Sequence, residues 1–261
     1  MLFYQCRGLP SEDYVQNDLL EPNKMTQNPK RPNLSTLINS VLGSQPAKPE
    51  PVVPVEEPAP VVETRRTAFQ SFLIVGLGNP GREYANNRHN VGFMMVDRLA
   101  ERLGVTFTRA QLKAIITDTR YQGHKLILAK PQTYMNESGQ AVASLLNFYK
   151  IPVENLIVAF DEMDLPLGEI RIRPKGGSSG QKGMKSIIQK LGHENFPRVR
   201  LGIGRPPGRI PAPDYLLQDF TFDEQTRLAP VLTDATDAVL TFVTEGLEIA
   251  MNRFNGIISN Q

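Results

Sequence analysis

Apolar positions fall into regular patterns only from about residue 69 onward. Residues 72–77 (FLIVGL) make a short uninterrupted apolar run, the mark of a buried strand. The spacing of Val91, Met94, Met95, Leu99 and Leu103 predicts a helix over 91–103 that stops at Gly104. Residues 115–120 and 125–129 predict two strands around a turn at Gly123. Val142, Leu145, Leu146 and Tyr149 form one stripe of a helix over 138–149, and 156–161 (LIVAFD) repeats the buried-strand pattern. An alternating strand over 169–173, a helix over 183–191 and a strand over 198–204 follow. The last element is a long helix over 223–255, with a break expected near Pro230. Strands alternating with helices predict an α/β fold: a single domain with a mixed, largely parallel sheet flanked by helices. There is no internal repeat.

Residues 1–68 lack any such pattern. The segment 46–62 (PAKPEPVVPVEEPAPVV) is rich in Pro, Val and Glu without apolar periodicity, so it cannot bury a core and reads as an extended linker. Residues 1–45 are polar and mixed, and only 37–42 hint at a short helix. The expected division is a disordered N-terminal extension over 1–68 and one folded domain over 69–261. Asp13, Asp18 and Glu21 stand where a secretory signal would need its apolar core, and acids also count against an organelle transit peptide. A cytoplasmic protein is expected rather than one of an organellar stroma or matrix. Met25, opening MTQNPKRPN, is an alternative start.

Composition narrows the chemistry. Hydrophobic content of 40% and charged content of 21% suit an ordinary globular protein. No stretch approaches the roughly 18 apolar residues of a membrane helix. The one cysteine, Cys6, excludes an internal disulfide and fits a reducing compartment. With one cysteine and three histidines, no Cys/His metal cluster is expected, and no cofactor. The net charge of +2 does not by itself call for a polyanionic partner, so any basic surface has to be local.

Gly76, Gly78 and Gly81 spell G-x-G-x-x-G after the first strand, which read alone suggests a dinucleotide-binding turn. The third glycine of that fingerprint should lie within a helix. Here Pro80 precedes Gly81, and a polar, aromatic stretch follows it. The glycines are better read as a sharp loop that brings Asn79 to the rim of a cleft. Asp161 ends the 156–161 strand, His89 and Asn90 precede the first long helix, and Asn136 opens the second. Ligands of open α/β sheets bind beyond the carboxyl ends of the strands, so Asn79 and Asp161 could share a cleft. His89 and Asn136 reach it only if their loops fold inward. A histidine takes up a proton near neutral pH, a carboxylate on its other nitrogen fixes the tautomer, and asparagine amides can donate to an oxyanion. With no activated Ser or Cys in view, water would be the attacker. On the residues alone, His89 also reads as an exposed or capping residue at a helix start.

Four blocks change that weighting. FLIVGLGNPGREYANNRHNVGFMMVDRLAERLG, KPQTYMNESGQAV, VAFDEMDLPLGEIRIRPKGG and FPRVRLGIGRP stand in this order, and over about 71–255 the chain resembles bacterial-type peptidyl-tRNA hydrolases. The resemblance implies a single α/β domain and metal-free hydrolysis of the ester between peptide and tRNA. It implies His89 as catalytic base and Asp161 as its orienting acid. It also implies Asn79 and Asn136 as amides holding the peptide, and Tyr84, Tyr134 and Met135 as site-lining positions. The expected partner is peptidyl-tRNA, with no membrane, and the chain is expected to be a monomer.

The resemblance fails at one loop. Where family members often read G-G-H-G-G-H-N-G, this chain reads G-G-S-S-G-Q-K-G over 176–183, with Gln181 in place of the second histidine and Lys182 in place of the asparagine. A lysine there could engage tRNA phosphate as a point charge. Arg171, Arg173 and Lys175 alternate on a strand, and with Lys185, Arg198 and Arg200 they are expected either to receive tRNA or to form a solvated face. His124 and His193 are expected in surface loops. Residues 206–218, Pro- and Gly-rich with a short helix, resemble a lid over the peptide groove. Two other functions are open: a non-catalytic RNA-binding protein of the intron-splicing type on the same fold, and, from the glycines alone, a dinucleotide-dependent enzyme.

Overall fold

The structure, a computed structural model, describes residues 69–256. The expectations for 1–68, including the short helix over 37–42, lie outside the described residues. Seven strands form one sheet in the order β2-β3-β4-β1-β5-β7-β6. They are β1 (Ser71–Gly76), β2 (Arg109–Gln111), β3 (Ala114–Tyr121), β4 (His124–Pro131), β5 (Leu156–Glu162), β6 (Ile170–Arg173) and β7 (Arg198–Gly202). The parallel pairs, β1 with β4 and β5, and β5 with β7, are the central ones. Toward the edges, β3 on β4, β2 on β3 and β6 on β7 are antiparallel, so the sheet is mixed.

Both faces of the central strands are covered, which is why β1 and β5 read as continuous apolar runs rather than alternating ones. On one face Phe72, Ile74, Leu128 and Ile157 pack against α1 (Val91–Arg102), α5 (Phe222–Glu245) and α6 (Leu247–Phe254). On the other, Leu73, Val75, Val158 and Phe160 pack against α2 (Ser138–Tyr149) and α3 (Lys182–Leu191). A short helix α4 (Ala212–Leu216) lies between β7 and α5.

The glycine pattern after β1 has a packing explanation. A Cβ on Gly76 would collide with the Gly92 carbonyl, and one on Gly92 with the Ala159 carbonyl, so α1 sits directly on β1 and β5. A Cβ on Gly78 would strike the Phe93 ring, and Gly81 adopts φ 121 outside any α-helix. A pyrophosphate turn is not what these glycines build.

Three local expectations differ. The C-terminal helix runs through Pro230 and breaks at Gly246 instead. The carbonyl that Pro230 leaves unpaired belongs to Thr226, on an exposed turn where water can serve it, whereas Gly246 adopts φ 98 and ends the helix. The edge strand β2 was not anticipated. Its hairpin turn places Leu112 at φ 51 and Lys113 at φ 62, a conformation usually announced by Asn-Gly or a similar pair. His124 is not in a surface loop. It opens β4, is 6% exposed, accepts the Gln70 N–H at 3.3 Å through Nδ1 and meets the Phe72 ring edge-on at 5.7 Å. His193 does lie in a loop, half-buried.

Candidate active site

β1 and β5 are neighbouring parallel strands, and their carboxyl ends face the same edge of the sheet. Asp161 lies at the end of β5. The loop leaving β1 carries Asn79. The chain then makes a 3-10 turn, Arg88–Asn90, whose three residues are all buried, and enters α1. The close seat of α1 on the sheet brings this turn against the strand ends. His89 Nδ1 thereby comes within 2.9 Å of Asp161 Oδ2, with His89 7% and Asp161 4% exposed. With Nδ1–H directed at the carboxylate, the imidazole keeps Nε2 as its basic nitrogen.

Asn90, next to His89, locks the β1 loop in two places. Its Oδ1 accepts the Asn79 N–H at 2.8 Å and its Nδ2 donates to the Asn79 carbonyl at 2.9 Å. The Asn79 side chain in turn accepts the Met135 N–H at 3.2 Å through Oδ1. That bond fixes the amide orientation, and among the described residues no acceptor takes up the Asn79 NH2 group, which is left to donate outward.

Of the residues singled out from sequence, His89, Asp161, Asn79, Tyr134, Met135, Asn136, Lys182 and Lys185 line one cleft of about 870 Å³. Tyr84 does not. It lines an adjoining cavity of about 560 Å³ that shares Tyr134 as a wall. The same cleft is lined by Ala212, Pro213, Leu216 and Leu217, so the Pro-rich connection forms a wall of the site.

Arg88 anchors that wall. Buried at 4% exposure, it donates to the Gln218 and Asp219 carbonyls at 3.2 and 2.7 Å and to both Glu224 carboxylate oxygens at 2.8 and 2.6 Å. Its guanidinium stacks 4.4 Å from the Tyr215 ring centroid. Burial raises the Glu224 carboxyl pKa, but hydrogen bonds from the Thr221 N–H and Arg88 outweigh it and hold the group below its ordinary value. Sequence reading passed over Arg88, which sits between residues that drew attention and carries no motif of its own.

The basic residues separate into two kinds. On the antiparallel β6–β7 pair, Arg171 faces Arg200 and Arg173 faces Arg198, so the four share one side of the sheet edge. Arg173, Lys175, Lys182 and Lys185 are exposed, Arg171 lies 3.7 Å from Glu169, and Arg200 pairs with buried Glu162 at 3.3 Å. Arg198 is a correction. It is fully buried and donates to the carbonyls of Gly176, Gly177, Glu194 and Phe196, so its side chain holds the 174–197 connection and offers nothing to a phosphate. Burial, with the nearby Arg200 charge, lowers its pKa to about 10.

Gln181 is the other residue that sequence reading left without a role. A departure from the family's usual histidine, it lies in the cleft with its amide 3.1 Å from Asp161 Oδ1. Among the described residues no group of three or more His, Cys, Asp or Glu could hold a metal ion, and no helix is long and apolar enough to cross a membrane.

A family model for peptidyl-tRNA hydrolase matches residues 73–261. The peptidyl-tRNA hydrolase of Thermoanaerobacter sp. (strain X514) is 49% identical over 185 residues, covering 71% of this chain and 100% of the relative. That of Chloroflexus aurantiacus (strain ATCC 29366 / DSM 635 / J-10-fl) is 50% identical over 185 residues, covering 70% and 98%. The crystal structure of peptidyl-tRNA hydrolase from Acinetobacter baumannii matches with a TM-score of 0.68 at 37% identity, over 72% of this chain and 95% of that one.

Proposed function

Since this chain belongs to the peptidyl-tRNA hydrolase family and hydrolyses peptidyl-tRNA to peptide and tRNA, we propose that it does so with His89 as general base and water as nucleophile. The buried His89–Asp161 pair at 2.9 Å on the wall of the cleft is the observation that carries this reading. His89 Nε2 takes a proton from water as the oxygen attacks the ester carbonyl carbon, and Asp161 stabilises the imidazolium. The tetrahedral oxyanion accepts from the Asn79 NH2 group, with Asn136 at the cleft rim as a second amide for the peptide. When the C–O bond breaks, the imidazolium returns its proton to the departing ribose oxygen, and peptide acid and tRNA are left. No step requires a metal.

Tyr134 and Met135 shape the peptide side of the cleft, and Tyr84 serves the adjoining cavity, where a longer peptide extends. Lys182 and Lys185, exposed at the start of α3, and Arg171, Arg173, Lys175 and Arg200 on the β6–β7 edge supply positive charge for tRNA phosphates. A substrate made in translation supports the cytoplasm as its place. Residues 69–261 form the catalytic domain in this reading, with 1–68 an appendage, since 185 residues cover 98–100% of the relatives. A non-catalytic RNA-binding role is not favoured, because the base and its acid are both retained and paired.

The test is turnover of peptidyl-tRNA. His89→Ala should cut it by roughly 10²–10⁴-fold, the usual contribution of a general base. Asp161→Asn should also be slow, because an amide stabilises the imidazolium poorly. Near-wild-type turnover of His89→Ala would show the proposed mechanism to be wrong.

A further inference from the structure

Gln181 is 6% exposed and its side chain is used from both ends. As the residue before α3, it accepts the Met184 N–H at 2.7 Å through Oε1 and so caps the helix. A backbone N–H can only donate, so this contact settles which way the amide is turned. The NH2 group must face the other side, and there it lies 3.1 Å from Asp161 Oδ1 and 3.1 Å from Met135 Sδ. Two amide hydrogens meet two acceptors, one of them the carboxylate oxygen that His89 does not use.

Followed around the cleft, the contacts close on themselves. Gln181 donates to Asp161, Asp161 holds His89, and His89 is joined covalently to Asn90. The Asn90 amide grips the Asn79 backbone, and Asn79 accepts the Met135 N–H. Met135 returns to Gln181 through its sulfur. Capping alone does not explain a glutamine here. The favoured N-cap residues are short, and Ser, Thr, Asp or Asn would satisfy the Met184 N–H at lower entropic cost. The extra length of Gln181 is what carries its amide to Asp161.

We infer that Gln181 is a positioning residue for the hydrolysis. It fixes the plane of the Asp161 carboxylate so that Oδ2 meets His89 Nδ1, and through Met135 it ties that plane to the loop bearing Asn79. Without it, Oδ1 would be buried with no partner and the carboxylate would be free to turn about its Cβ–Cγ bond, away from the imidazole. Gln181 touches no reacting atom. The inference rests on the reading of His89 and Asp161 as the catalytic pair.

Two variants separate the cap from the positioning bond. Gln181→Ser keeps a favoured cap and cannot reach Asp161. Gln181→Glu keeps length and an acceptor for the Met184 N–H, but turns a carboxylate oxygen toward Asp161 in place of a donor. With peptidyl-tRNA as substrate, both should lower kcat by about 10–100-fold, the scale for losing an outer partner of a functional residue, with KM within about twofold. The melting temperature of Gln181→Ser should fall by no more than several degrees, the cost of leaving Asp161 Oδ1 unpaired, so that the protein stays folded under assay conditions. In an Asp161→Ala background the same Gln181→Ser change should cost less than about twofold, because a residue that acts through Asp161 has nothing left to act on. Full activity of Gln181→Ser, an equal fold-loss in both backgrounds, or activity that falls only in step with melting temperature would each overturn the inference. His89→Ala, run beside them, tells the two failures apart. If it retains activity, the catalytic pair itself is wrong. If it is inactive while Gln181→Ser is not, only the role of Gln181 fails.

Discussion

In the lining of the cleft, His89, Asp161 and Gln181 are 7%, 4% and 6% exposed, and each contact among them has one donor, one acceptor and one geometry. At the β6–β7 edge and the start of α3, Arg173, Lys175, Lys182 and Lys185 stand in solvent and form no ion pair among the described residues. A proton transfer depends on direction, so the first region is built from buried, mutually fixed groups whose loss is abrupt. Attraction for a phosphate chain depends on the number of charges near it, so the second is built from long, exposed side chains whose losses are graded and screened by salt. Charge type does not separate the two regions. Arg198 faces Arg173 across the β6–β7 pair and belongs by its environment to the first kind.

Arg198 therefore gives the sharpest test of the comparison. Arg198→Ala should lower unfolding free energy by about 3 kcal/mol or more, since it leaves several buried carbonyls without donors. The salt dependence of tRNA binding by the protein that remains folded should match wild type. A stable variant with a shallower salt slope would move Arg198 back among the phosphate contacts.

Lys182→Asn probes the exposed kind. The expected result is severalfold weaker tRNA binding, with the log–log salt slope smaller by about 1, and little change in kcat. Superimposable salt titrations would remove Lys182 from the phosphate contacts, and higher turnover with an unchanged slope would mean that the ammonium hinders the site.

Glu224 tests the wall side at lower stakes. Its pKa is depressed, so its bonds to Thr221 and Arg88 contribute stability above the ordinary value of 4.5 and lose it as pH falls through the lower folded value. Solvent reaches Glu224 but not Arg88, and that partial exposure keeps the pH-dependent part of the contribution to about 1 kcal/mol. The stability difference between wild type and Glu224→Gln, from denaturant titrations between about pH 6 and about pH 3, should shrink toward acid. A difference that does not change with pH would mean that Arg88 holds the wall through the carbonyls alone.

The smallest effect belongs to the N-terminal extension. Deleting 1–68 should leave turnover and melting temperature nearly unchanged, because a segment without apolar periodicity contributes no core. A large fall in melting temperature on truncation would show that part of the extension packs on the domain.

The sequence by itself determined the central strands and most helices, because burial of one face or two leaves a period that needs no knowledge of the partner. The helix expected over 138–149 is Ser138–Tyr149, and the apolar run at 156–161 falls within Leu156–Glu162. It also offered the candidate base, acid and amides, through blocks that resemble a known family. What lacked a local signal went unseen: a hairpin turned by Leu112 and Lys113, and a helix that tolerates Pro230 because Thr226 faces water. Only the tertiary structure decided which polar groups meet. His89 and Asp161 are 72 residues apart, and Gln181 lies 20 residues beyond Asp161. They come together because β1 and β5 are neighbours in the sheet and α1 rests on them glycine to glycine. The same cause buried Arg198 and left Arg173 in solvent. Each reads as a cation on an alternating strand, and only the packing of the 174–197 connection over one of them tells the two apart.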